Sequence, residues 1–132
     1  MIRTTGILFG VVLLAQASGA FAQTSGEGPR NAIGYASVSE AYNALRAKPG
    51  VTFSDNAGWT IANDTDRSIW SFTPANHYAH PSVGRRSLVA SADGYHVETR
   101  ILCQADKAAC DRLRDDYVLL DKRMTEAIRA GK

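Results

Sequence analysis

The chain has 132 residues, 45% of them hydrophobic and 21% charged, with 15 Lys and Arg against 13 Asp and Glu. That length supports one domain with one modest core. The near-neutral balance excludes a strongly basic nucleic-acid binder, and no apolar run after the first 22 residues is long enough to predict a transmembrane anchor.

Met1-Ile2-Arg3 is a short basic start, and residues 6–15 (GILFGVVLLA) form an uninterrupted small-and-apolar run. Ala20-Phe21-Ala22 has the small-x-small pattern of a cleavage site, so residues 1–22 read as a secretory signal removed after Ala22. No cysteine follows the apolar run and no arginine pair precedes it, which argues against lipoprotein processing and folded export. Residues 23–35 are expected to form a flexible leader and residues 36–132 a single α+β domain. The expected location is periplasmic or secreted.

The first helix is predicted from Ser37 and Glu40, a capping-box spacing, with Val38, Ala41, Tyr42 and Leu45 on one stripe. Ser39 is an alternative N-cap, and Pro49-Gly50 ends the helix. From residue 51 to 104 the period changes to two. Val51 with Phe53, Trp59 with Ile61, and Trp70 with Phe72 mark three short strands separated by turns at 55–58 and 63–66. Residues 87–91 and 95–103 form a hairpin around Ala92-Asp93-Gly94. Short turns between short strands predict an antiparallel meander of about five strands.

The last segment places Cys110, Leu113, Tyr117, Leu120, Met124 and Ile128 at helical spacing, with Val118 and Leu119 widening the stripe. A long amphipathic helix capped by Asp106 is expected to cover one face of the sheet. The two cysteines, Cys103 and Cys110, form a predicted disulfide between the last strand and this helix. The short loop they close contributes roughly 2–3 kcal/mol in the chain-entropy model.

Residues 74–84 (PANHYAHPSVG) form the one long connection, and it concentrates Asn76, His77, Tyr78 and His80. Long connections are where binding concentrates, so this loop and the adjacent Arg85 and Arg86 are the candidate binding residues. The alternative is a proline-bounded loop folded over a sheet edge. His77 and His80 also suggest a metal site, but two ligands require a third from His96 or Glu98. No cofactor is expected.

His96, Glu98 and Arg100 alternate along the last strand, opposite Val97 and Ile101. A base, an acid and a guanidinium on one face are the equipment of a small metal-independent hydrolase of ribonuclease type. The same pattern is ordinary for the solvent face of an antiparallel strand. Trp59, Trp70 and Phe72 read as an aromatic group, more consistent with core than with a pocket.

Two blocks, residues 50–62 (GVTFSDNAGWTIA) and residues 70–86 with Trp70-Ser71-Phe72-Thr73-Pro74, His77, Pro81 and Arg85-Arg86, carry a resemblance together with Cys103 to Cys110. With them the chain resembles small exported proteins of Gram-negative bacteria of unknown function. The resemblance implies a periplasmic setting and a shared fold, and it carries over no catalytic residue. The sequence therefore leads to a non-enzymatic binding or interaction module. Its expected partner is a protein or an anionic cell-envelope component.

Overall fold

The computed structural model describes residues 33–131. The expected signal segment and residues 23–32 of the expected leader lie outside the described residues. The elements run α1 (Val38–Ala47), β1 (Thr52–Asn56), β2 (Trp59–Asn63), β3 (Ile69–Phe72), β4 (Ser82–Ser91), β5 (Gly94–Cys103) and α2 (Lys107–Ala130). The fold is α+β, with the five strands in a single antiparallel meander ordered β1-β2-β3-β4-β5.

Local chemistry explains the element ends. Ser37 Oγ accepts the Glu40 N–H at 3.0 Å, and Glu40 Oε2 reaches back to the Ala36 N–H at 2.8 Å. Ser37 is therefore the N-cap, and α1 buries Ala41 and Leu45. The β1–β2 hairpin closes on two residues in the left-handed region, Ala57 at φ 50° and Gly58 at φ 84°. That pair gives the turn the twist its flanking strands need. Asp106 accepts the Ala109 N–H at 2.8 Å and starts α2.

The register divides the side chains between two layers. Phe53, Ala62, Trp70, Phe72, Val83 and Leu102 face α1, and Ile33 and Tyr35 pack into the same core. The last residues of the stretch expected to be a leader are thus part of the folded domain. The opposite face carries Trp59, Ile61, Ser71, Gly84, Arg86, Thr99 and Ile101, and α2 lies there with Leu113 and Tyr117 buried. Gly84 makes this seat possible, because the Tyr117 ring stands where a β-carbon would project.

Three further sequence expectations need correction. Trp59 does not group with Trp70 and Phe72: Thr60 pairs with Phe72, so Trp59 projects from the other face. β4 begins at Ser82 and not near residue 87, which shortens the long connection to the residues between Phe72 and Ser82. Val118 and Leu119 do not widen the α2 stripe; they are 61% and 54% exposed, because α2 packs along β5 and leaves much of the sheet uncovered.

Cys103 and Cys110 are joined, with Cα atoms 5.7 Å apart. The bond ties the end of β5 to the first turn of α2, which fixes where the helix leaves the sheet. Among the described residues, no helix is long and apolar enough to cross a membrane.

A candidate ligand cleft between the sheet, the loop and the long helix

Because α2 follows β5, the β2–β4 part of its face is left for another cover. The 74–81 connection supplies it. Thr73 N–H donates to Ser82 O at 3.0 Å and Ser82 N–H donates to Thr73 Oγ1 at 2.9 Å, which clamps the two ends of the loop together. Inside the clamp, His77 N–H bonds Pro74 O and His80 N–H bonds His77 O, both at 3.0 Å. Ala79 is fully buried against Leu113 and Tyr117, and Ser82 Oγ donates to its carbonyl. The peptide between His80 and Pro81 is cis.

The loop, the sheet and α2 border an open cleft of about 400 Å³. Its floor is Trp59, Ile61, Ser71 and Arg86, one wall is Leu113, Tyr117 and Leu120, and the other is His77 and Tyr78. That volume is within the range of small-molecule sites, and a mostly apolar lining with a few polar groups is their usual chemistry.

The wall is held by aromatic and charged contacts. The Trp59 and His77 rings lie 5.0 Å apart at 72°, and the His77 and Tyr78 rings 4.3 Å apart at 31°. Tyr78 Oη donates to Asp116 Oδ2 at 2.5 Å, and the Arg112 guanidinium stacks 4.1 Å from its ring centre. Burial, with the Asp116 carboxylate beside it, pushes the Tyr78 phenol up to about 12. Burial also lowers the His77 pKa. The hydrogen bonding agrees, since His77 Nδ1 accepts the Ala79 N–H at 3.1 Å and must be unprotonated to do so.

Arg86 is the charged residue of the floor. Its side chain is 19% exposed, with Nε 4.0 Å from Asp121 Oδ1. That Nε is buried and has no hydrogen-bond acceptor among the described residues. Asp121 is occupied elsewhere: it accepts the Thr99 N–H and the Thr99 hydroxyl, each at 2.7 Å.

The structure thus brings His77, Tyr78 and Arg86 together. Arg85, one residue away, projects from the opposite face, bonds Asp66 Oδ2 at 2.6 Å and stacks on Trp70. Asn76 and His80 are exposed, and His80 Nδ1 lies 3.1 Å from Thr73 O, so its imidazole fastens the loop ends. With one nitrogen of each ring engaged in the loop, His77 and His80 are loop-building groups. Among the described residues no cluster of three or more His, Cys, Asp or Glu could hold a metal.

His96, Glu98 and Arg100 share the face opposite α2. Glu98 lies between them, 3.8 Å from His96 Nε2 and 3.0 Å from Arg100 Nε. All three are substantially exposed, and Arg100 lies outside the shallow groove along β5 that His96 and Glu98 border. The arrangement is a row of exposed polar side chains with an Arg100–Glu98 ion pair.

Trp59, Ile61, Leu113, Asp116, Tyr117 and Leu120 were not among the sequence candidates. The available signal was the shared period of Trp59 and Ile61, which puts both on one face; only the register shows that it is the face α2 lies on. No protein-family model, curated protein or solved structure matches this chain.

Proposed function

We propose that this protein is a non-enzymatic binding module, exported to the bacterial periplasm, whose cleft takes a small amphipathic anion. The observation that carries this reading is Arg86: a mostly buried guanidinium on the floor of an apolar cleft, its Nε without an acceptor among the described residues. An arginine presents five N–H donors in a fixed fork, and anionic oxygens are the partners that fit it best. Trp59, Tyr78 and Tyr117 around it suit a flat apolar body. Export is supported by the N-terminal apolar run and by the Cys103–Cys110 disulfide, which fits an oxidising compartment.

The test uses anilinonaphthalene sulfonate, a flat apolar anion, and phenylnaphthylamine, its neutral counterpart. The sulfonate should bind saturably, and Arg86→Gln should weaken it about tenfold, the value of a lost charge-assisted hydrogen bond. The neutral probe should be affected far less. Equal loss of both probes would show that Arg86 does not read an anion, and no saturable binding of either would refute the cleft as a site.

A further inference from the structure

The sheet's free edges are treated unequally. On β5, Val97 N–H donates to Thr125 Oγ1 at 2.9 Å and Thr99 N–H to Asp121 Oδ2 at 2.7 Å. Side chains of α2 thereby occupy the backbone groups that would recruit another strand. The outer edge of β1 is short and ends in Asp55 and Asn56, polar residues that discourage pairing. The third edge is internal. β3 pairs with β4 only as far as Ile69 opposite Arg86, whereas β4 runs on to Ser91. Residues 87–91, Ser-Leu-Val-Ala-Ser, therefore pair with β5 alone among the described residues. They carry no charge and no proline.

The direction of their backbone groups follows from β5. Val97 gives its N–H to α2, so Leu88 and Val97 face each other as a non-hydrogen-bonded pair. Leu88, and Ala90 two residues on, consequently turn N–H and C=O away from β5 and toward the open side. Leu88 and Tyr95 lie on the α2 face and are 55% and 52% exposed.

We propose that residues 87–91 pair with the same edge of a second copy of this chain, about a two-fold axis through Val89. The segment reads nearly the same in both directions. Antiparallel pairing centred on Val89 sets Ser87 opposite the partner's Ser91 and Leu88 opposite the partner's Ala90. Each Leu88–Ala90 pair then exchanges two backbone hydrogen bonds, because both residues already point outward. No like charges meet, and the same patch serves both copies, as an isologous contact requires. The pairing stops where β3 begins on one side and the Ala92-Asp93 turn on the other, which makes the dimer weak and concentration-dependent.

Sedimentation of the disulfide-intact protein, in a series reaching about 1 mM, tests this. The wild type should pass from monomer to dimer, and the Leu88 and Ala90 amides should exchange more slowly as concentration rises. Val89→Lys and Val89→Glu each place like charges together at the axis and should weaken the dimer by about tenfold or more. An equimolar mixture of the two should restore it as a heterodimer, which a merely misfolded variant cannot do. A wild type that stays monomeric throughout overturns the proposal. So does undiminished dimerisation of both variants, or a mixture that remains monomeric while each variant melts as the wild type does.

Discussion

Gly84→Ala is the sharpest test of how α2 is seated. An added β-carbon would lie 2.9 Å from both Cζ and Oη of Tyr117 and 3.1 Å from Thr99 Cγ2. Tyr117 cannot swing clear without cost, because its ring is buried with Leu113 and Ala79. Overpacking of this kind costs about 1–3 kcal/mol. In a domain of this size that lowers the melting temperature by about 5–20 °C. The loss should be accompanied by weaker probe binding, since Tyr117 is also a wall of the cleft. Tyr117→Leu removes the obstructing ring, so the double variant should be more stable than the sum of the single losses by about 1 kcal/mol or more. Thermal melts followed by near-ultraviolet circular dichroism give all the values of the cycle. If Gly84→Ala melts within about 2 °C of the wild type, the ring does not rest on Gly84 and the account of the seat fails.

Replacing Cys103 and Cys110 by serine should cost roughly 2–3 kcal/mol, and a reductant should lower the wild-type melt to the variant's value. The depressed His77 pKa means that the unfolded chain binds the extra proton first. Stability from this site is therefore complete above about pH 6.5 and declines as pH falls below it, and His77→Gln should remove that part of the pH profile. Asp66 is held down at about 2, chiefly by the Ser68 hydroxyl and then by its backbone N–H and by Arg85. Its contribution is present above about pH 3.9 and is lost as pH falls toward 2. The carboxylate is 43% exposed, so solvent screening keeps the effect below about 1 kcal/mol, and an acid melt of Asp66→Asn against the wild type measures it.

The helices were legible in the sequence because their signals are local. Ser37 with Glu40 specifies a cap and the spacing from Leu113 to Ile128 specifies a helix within a few residues, although of that stripe Leu113 and Tyr117 are buried while Leu120 and Ile128 are exposed. The meander was legible through its period of two and its short turns. The start of β4 was not, because Ser82, Val83 and Gly84 are all buried and show no polar alternation. The loop stood out as a candidate by its length and its histidines. What it faces depends on register: Arg85 and Arg86 are adjacent in sequence, and only the pairing with Trp70 and Ile69 decides which of them reaches the cleft. Trp59 shares that ambiguity, since an aromatic residue on either face of a sandwiched sheet has the same local pattern. The Ser-Leu-Val-Ala-Ser edge was also invisible, because nothing in β4 itself shows that β3 stops short.

One substitution separates the proposed ligand-binding role of Arg86 from a purely structural one. Asp121 sits 4.0 Å from Arg86 Nε and partly neutralises the guanidinium. It also accepts from the backbone and hydroxyl of Thr99, which helps to hold α2 against β5. Asp121→Asn removes the charge but keeps the shape: the amide oxygen can accept the Thr99 N–H, and its NH₂ can donate to the Thr99 hydroxyl, which turns to suit. If Arg86 serves only to pair with Asp121, the change leaves a buried cation without its counter-charge, and both stability and probe binding should fall. If Arg86 reads an anion in the cleft, removing the competing carboxylate strengthens its field there. The sulfonate probe should then bind several-fold tighter, even where the melting temperature drops, because two like unit charges roughly 10 Å apart, on either side of the guanidinium, still repel by on the order of 1–2 kcal/mol at an effective dielectric of about 20. The neutral probe, which has no charge for Asp121 to repel, should be indifferent to the exchange. Tighter binding of the anion alone is an outcome that a purely structural arginine cannot produce.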